Sequence, residues 1–214
     1  YKVPKLIFIS TDKAVYPTNI MGASKRLCEK YIQQISNSPG KTIFSIVRFG
    51  NVLGSTGSVV PLFESQIKKG GPITITHPQV TRYFMTIREA VELVLISSQL
   101  EVEKNGQIFI LEMGSSVLIK DLAKRMITLS GKSESEIKIE FTGLRKGEKI
   151  SEKLFFNEEN MNKTDINGIL YTSDTLYKID IASYGNLSSL VIKNKINEAM
   201  KKFKEMLPEY KADD

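Results

Sequence analysis

Apolar positions along this chain fall into short blocks whose periods alternate between those of strands and helices. Leu6 to Ile9 is a four-residue apolar run that predicts a buried strand, and it stops abruptly at Ser10-Thr11-Asp12-Lys13. Pro17 breaks the chain, and Thr18 or Asn19 can cap a helix running to about Ile35. After the turn signal Ser36-Asn37-Ser38-Pro39-Gly40, the β-branched and aromatic stretch Thr42 to Phe49 predicts a second buried strand. Strand, helix and strand at this spacing predict a parallel crossover unit, as in the last part of a doubly wound sheet. Further on, helices are predicted over Ser58–Lys69, Ile87–Gln99 and Ile119–Ser130, with strands at Ile73–Thr76, Gln107–Leu111 and Ile137–Phe141. The pattern loosens from Glu158. A strand pair is expected within Ile169–Lys178, and one terminal helix from a Ser188 cap to about Lys204.

The fold class expected is therefore α/β: part of a Rossmann-type parallel sheet plus a small α/β substrate-binding domain. The expected division is 1–56 for the sheet part, 57–160 for the substrate domain and 161–214 for a carboxyl-terminal extension. Ligands of open α/β sheets sit off the carboxyl ends of the strands. That rule singles out Thr11, Asp12 and Lys13 at the first strand end. Met21 and Lys25, four apart, share a helix face near its start. Together these five could surround one pocket, although an adjacent Asp-Lys pair can equally be an ordinary salt bridge. Arg48-Phe49-Gly50-Asn51-Val52-Leu53-Gly54 follows the second strand, where its glycines permit close backbone approach or simply close a turn. Arg82 can offer a bidentate guanidinium to a phosphate or make a surface ion pair. His77 is the only histidine and, beside Pro78, reads as a turn residue.

The 214 residues carry a net charge of +6, which suits an anionic ligand such as a nucleoside diphosphate. The lysines are scattered, with no aromatic-interleaved basic stripe, so nucleic acid is not an expected partner. Cys28 is the single cysteine, which excludes a disulfide framework and a zinc site, predicts a reducing, cytoplasmic compartment, and reads as a small packed residue. No run of about 18 apolar residues occurs and nothing resembles a signal peptide. No Gly-x-Gly-x-x-Gly follows a strand. The chain opens at Tyr1, directly before a core strand, and is expected to be the carboxyl-terminal portion of something longer.

The strand end Ser10-Thr11-Asp12-Lys13-Ala14 and the helix Met21-x-x-x-Lys25 resemble the nucleotide-sugar 4,6-dehydratases of the extended short-chain dehydrogenase family, the capsule- and flagellin-glycan type acting on UDP-N-acetylglucosamine. Met21 stands at the tyrosine position of that family's Tyr-x-x-x-Lys helix, as in its large, membrane-anchored subgroup. Arg48-x-x-Asn51-Val52-x-Gly54 and Gly143-Leu144-Arg145-Lys146-Gly147-Glu148-Lys149 match two further motifs, and the resemblance runs from residue 5 to about 155.

The resemblance implies bound NAD, a UDP-sugar substrate, homo-oligomers, and a cofactor-binding half and membrane anchor that would precede this chain. It places Ser10, Lys25 and Asn51 near the cofactor, Asn51, Arg82 and Arg145 on the nucleotide sugar, and Glu148 on its nucleoside or on the neighbouring arginine. The reaction oxidises C4, removes the C5 proton and the 6-hydroxyl as water, and reduces C6, with the cofactor carrying the redox step. Lys13 is then the base for C5 and Asp12 the acid for the 6-hydroxyl. Met21 cannot take the C4 hydroxyl proton, because a thioether is only a weak acceptor, so Thr11 or a water it positions is the candidate. A 4-epimerase of the same superfamily and a non-catalytic nucleotide-sugar-binding module are the competing readings.

Overall fold

The structure is a computed structural model that describes residues 3–55, 57–172 and 179–212. In chain order it runs β1 (Lys5–Ile9), a 3-10 turn (Asp12–Ala14), α1 (Ile20–Ile35), β2 (Ile43–Arg48), β3 (Asn51–Val52), α2 (Val59–Lys68) and β4 (Ile73–Ile75). Then follow β5 (Thr81–Arg82), β6 (Phe84–Met85), α3 (Ile87–Gln99), β7 (Gln107–Leu111), β8 (Val117–Leu118), α4 (Ile119–Leu129) and β9 (Ile139–Phe141). The last elements are β10 (Asn162–Lys163), β11 (Ile169–Thr172), α5 (Ile181–Ile192) and α6 (Ile196–Met206). Contacts divide the chain into two compact units, 1–49 with 94–112 and 153–214, and 50–93 with 113–152.

The first unit holds a five-stranded sheet in the order β1-β2-β7-β11-β10. The expected crossover is present: β1 runs parallel to β2, with Leu6 opposite Phe44, and β2 runs parallel to β7. Every residue of β7 is buried, so its QIFIL run is continuous rather than alternating, as a strand covered on both faces requires. Beyond β7 the sheet turns antiparallel through β11 and β10. This is the α/β fold anticipated, a parallel Rossmann-type sheet, extended by an antiparallel edge. Ile32 of α1 packs on Ile46, Ile108 and Ile110.

The second unit packs α2 and α4 against the parallel pair β4–β9, with Phe63, Ile67, Ile73, Ile75, Ile127 and Ile137 in its core. It also contains β3 parallel to β6 and β5 antiparallel to β8. Among the described residues, no helix is long and apolar enough to cross a membrane.

The sequence pattern erred at the carboxyl-terminal helix and at Cys28. The carboxyl-terminal helix is two helices, because Asn194 takes a left-handed φ of 54° just past the α5 cap at Lys193. Asparagine tolerates that conformation better than other side-chain-bearing residues. The cap of α5 is Asp180, which accepts from the Ala182 N–H at 3.3 Å, and not Ser188. Cys28 is exposed on α1 rather than packed, since the core-facing positions around it are Ala23, Leu27 and Ile32. Of the expected 169–178 strand pair, the first strand is present as β11, which pairs with β7 and β10, and 173–178 lie outside the described residues.

Candidate functional site

In the first unit the site grows from the carboxyl end of β1. The Ser10 N–H donates to the Val47 carbonyl at 2.7 Å and the Asp12 N–H to the Phe49 carbonyl at 3.1 Å, so β2 continues to guide the chain past the strand. Thr11 caps the following 3-10 turn. Its hydroxyl donates to Asp12 Oδ1 at 2.9 Å, and Lys13 Nζ reaches the same oxygen at 3.0 Å. Asp12 is fully buried, and its second oxygen, Oδ2, has no hydrogen-bond partner. A buried carboxylate oxygen left without a donor is costly unless a ligand or a proton satisfies it.

Helix α1 begins at Asn19, whose side chain accepts from the Gly22 N–H at 2.9 Å. Gly22 is required for space, because a Cβ there would lie 2.1 Å from the Lys13 carbonyl oxygen. Its absence lets the helix start press against the Asp12–Lys13 turn. Lys25, one turn further, donates from Nζ to the Ile9 carbonyl at 3.0 Å and sits 4.8 Å above the Phe8 ring. Met21 is half-exposed one turn before it. Thr11, Asp12 and Lys13 are thus directly bonded to each other, and Lys25 joins them at the strand end.

Ser10 is placed differently from the expectation of a cofactor contact. Its hydroxyl points inward and donates to Glu29 Oε1 at 2.6 Å. Glu29 is fully buried and held by Arg48 through Nε at 2.7 Å and Nη2 at 2.8 Å, and by Arg26 Nη1 at 2.9 Å. Arg48 also grips both oxygens of Glu159, at 2.8 and 2.9 Å. Burial pushes the Glu29 carboxyl up, but the Arg48 guanidinium, its hydrogen bond, the Arg26 charge and the Ser10 hydroxyl outweigh it and leave it at about 2. Burial pulls Arg48 down, but the Glu29 and Glu159 carboxylates overcome this and raise it. Sequence reading missed this network. Its one visible signal was spacing: Met21, Lys25 and Glu29 fall at i, i+4 and i+8 on α1.

The second unit holds the remaining candidates. Asn51 is half-buried in β3, and its N–H donates to the Tyr83 carbonyl at 3.0 Å. Arg82 is nearly buried, with Nη1 donating to the Thr81 carbonyl at 2.7 Å and the Ile150 carbonyl at 3.2 Å. Its Nη2 meets Glu148 Oε1 at 3.1 Å, an oxygen that also accepts from the Thr76 hydroxyl at 2.9 Å. The Arg145 N–H donates to Glu148 Oε2 at 3.2 Å while the residue itself is exposed. The structure therefore brings Arg82, Glu148 and the Arg145 backbone into one cluster. His77 accepts from the Gln79 N–H through Nδ1 at 3.2 Å, as a turn residue does.

The donor set bears on a dinucleotide cofactor. A lysine ammonium has three N–H donors, and Lys25 directs one of them to Ile9, which leaves donors for the hydroxyls of a ribose at the strand end. These residues fit the nicotinamide-ribose end of NAD. No Gly-x-Gly-x-x-Gly turn is present in the chain for the pyrophosphate end.

The profile of the family described as "Polysaccharide biosynthesis protein" matches residues 1–174. The capsular polysaccharide biosynthesis protein CapD of Staphylococcus aureus is 56% identical over 158 residues, covering 74% of this chain and 26% of that protein. The probable polysaccharide biosynthesis protein EpsC of Bacillus subtilis is 54% identical over 153 residues, covering 72% and 25%. A UDP-glucose 4-epimerase of Rickettsia typhi is 43% identical over 169 residues, covering 78% and 48%. The chain thus spans between a quarter and about half the length of these relatives. Among solved structures, Pen from Bacillus thuringiensis superposes with a TM-score of 0.73 at 36% identity, over 84% of this chain and 55% of that one. DesIV, a dTDP-glucose 4,6-dehydratase from Streptomyces venezuelae solved with NAD, shares the fold at a TM-score of 0.62 and 18% identity, over 72% and 52%.

Proposed function

The chain belongs to the polysaccharide biosynthesis protein family, and we propose that it carries the acid–base and substrate-binding residues of a nucleotide-sugar 4,6-dehydratase acting on UDP-N-acetylglucosamine. The observation that carries this reading is the Asp12–Lys13 pair at the end of β1, bonded at 3.0 Å with Asp12 Oδ2 buried and unpartnered. Eliminating water across C5 and C6 needs a base for one carbon and an acid for the hydroxyl on the next. Moving one proton from Lys13 Nζ to Asp12 along their hydrogen bond produces that combination, a neutral amine beside a carboxylic acid. Lys13 then takes the C5 proton and Asp12 gives its proton to the departing 6-hydroxyl. The pair ends as the ion pair with which it began, ready for another cycle. An ion pair that served only stability would have no use for an unsatisfied buried oxygen.

Thr11, or a water it positions, passes the C4 hydroxyl proton on to solvent, since Met21 offers no base, and solvent supplies the proton that C5 takes up when hydride returns to C6. Lys25 would hold the ribose of NAD, and the chemistry NAD supplies when bound is reversible hydride storage. On this reading residues 1–56 carry the catalytic groups and 57–160 bind the nucleotide sugar, with Arg82 and Arg145 binding the diphosphate and Asn51 and Glu148 the remainder. The 56% identity to a capsular polysaccharide protein supports it, and the fold is shared with a dTDP-glucose 4,6-dehydratase solved with NAD. A second reading, a nucleotide-sugar 4-epimerase, is favoured by the Rickettsia typhi relative.

Incubation of the protein at its full natural length with NAD and UDP-N-acetylglucosamine in deuterated water separates the two. A product lighter by one water with one deuterium at C5 supports the dehydratase, whereas an epimer that retains its water replaces it. Asp12→Asn is expected to lower kcat for water loss by about 10²–10⁴-fold. Normal elimination by that variant would remove Asp12 from the role of acid.

A further inference from the structure

Past residue 174, where the family match ends, lies the segment Leu207–Lys211. Leu207 is fully buried and Met206 nearly so, so this short segment is fixed against the first unit. Glu209 Oε1 contacts Lys30 Nζ at 2.5 Å and Arg26 Nε at 3.2 Å, both cations being buried on α1. Arg26 continues to Glu29, and Glu29 to the Ser10 hydroxyl, two residues before Asp12. A second tie runs from the Lys211 N–H to the Pro17 carbonyl at 3.1 Å. Pro17 lies in the loop that joins the Asp12–Lys13 turn to α1. Its neighbour Tyr16 has a left-handed φ of 44°, a strained conformation for a side-chain-bearing residue. The Tyr16 hydroxyl accepts from the Asn157 N–H at 2.9 Å and donates to Glu158 at 3.1 Å, and its ring lies 4.6 Å from Phe156. The loop is therefore held from one side by 156–158 and from the other by Leu207–Lys211.

We propose that Leu207–Lys211 is a strap whose Glu209 is a positioning residue for the Thr11–Asp12–Lys13 cluster, acting through Arg26, Glu29 and Ser10. Its effect on turnover rests on the dehydratase reading above, but its effect on order does not. Neutralising Glu209 leaves Arg26 and Lys30 buried with one carboxylate fewer. Arg26 then redistributes toward Glu29, and the grip on Ser10 loosens. Strained backbone at Tyr16 supplies a ready direction for the loop to relax.

Amide hydrogen exchange tests this on the chain itself, with Glu209→Gln and, as a second variant, Lys211→Pro, which removes the N–H donor to Pro17 while leaving Glu209 in place. The expected result for Glu209→Gln is exchange at Asp12, Ala14, Gly22 and Ala23 faster by about tenfold or more, with Ile73 and Thr142 of the second unit unchanged. Lys211→Pro is expected to accelerate Ala14 and Val15 alone. Acceleration confined to 205–211 in both variants would overturn the strap. In the full-length protein with NAD and UDP-N-acetylglucosamine, Glu209→Gln should lower kcat with KM nearly unchanged, and Glu209→Asp should recover part of the loss. A KM rise with kcat intact would overturn the positioning role. Absence of turnover in the unmodified protein would instead refute the dehydratase reading while leaving the exchange result standing.

Discussion

Two charged clusters, one in each unit, are built on opposite terms. In the first unit Arg26, Lys30 and Arg48 face Glu29, Glu159 and Glu209, three cations against three anions, and only Glu209 is exposed to as much as 19%. In the second, Arg82 meets one carboxylate, Glu148, with Arg145 exposed beside it. The first set is closed, because every carboxylate is matched by a cation bound to the scaffold. It can fix the strand end that carries Asp12, but it has no vacancy for a ligand. The second is open: an arginine held by a single half-buried carboxylate can exchange that partner for a diphosphate of greater charge. On the proposed function, the closed set would position the strand end and the open set would bind the diphosphate.

The largest effect that would break the comparison is loss of Arg48. Arg48→Met leaves Glu29 and Glu159 buried without their main cation, and removing one member of a buried pair costs about 3–5 kcal/mol. Urea denaturation should show a loss of that size, with amides of the β4–β9 pair in the second unit retaining their protection. A loss below about 1 kcal/mol would mean that the network is not the scaffold described here.

Acid should act on the same cluster. The Glu29 carboxyl is held at about 2 in the folded chain against an ordinary 4.5, so its ionised form stabilises folding above that ordinary value. This contribution is lost as pH falls from about 4.5 toward 2, where the folded state too takes up the proton. The groups facing it are Arg48, Arg26 and the Ser10 hydroxyl, none of which changes charge in that window. Thermal melts followed from pH 5 downward should therefore show the first unit weakening, with little dependence on salt because the pairs are buried. A cluster that weakened above pH 5 would contradict this assignment.

How much of this was legible in the sequence depends on distance along the chain. The β1–α1–β2 crossover was readable because each signal is local: an apolar run, an Asn19 cap, a proline–glycine turn. Thr11, Asp12, Lys13 and Lys25 were readable because a strand end and one helix turn bring them together. The closed network was not, because Arg48 finds Glu159 111 residues later and Arg26 finds Glu209 183 residues later. No periodicity links such positions. The same limit hid the inward rotation of the Ser10 hydroxyl, which depends on Glu29 across the fold. It also merged α5 with α6, since a single left-handed asparagine between two apolar helical patterns leaves their period nearly intact.

The smallest effect on stability should be the most informative about binding. The Arg82–Glu148 pair is 10% and 19% exposed, and Thr76 and two backbone carbonyls share its hydrogen bonds. Glu148→Gln keeps the shape and an oxygen acceptor for Arg82, so it should cost about 1–2 kcal/mol in unfolding, less than the loss of Arg48. If Arg82 receives the diphosphate, deleting the neighbouring negative charge should tighten the binding of UDP by about threefold to tenfold at low salt. That gain should shrink as ionic strength rises. Titration calorimetry with UDP decides between this and the other role open to Glu148, a direct contact to the nucleoside. In that case the variant should weaken binding as Arg82→Met does. Opposite signs for the two variants would establish Glu148 as the internal partner that a ligand displaces, and equal signs would make both residues part of the ligand's own contacts.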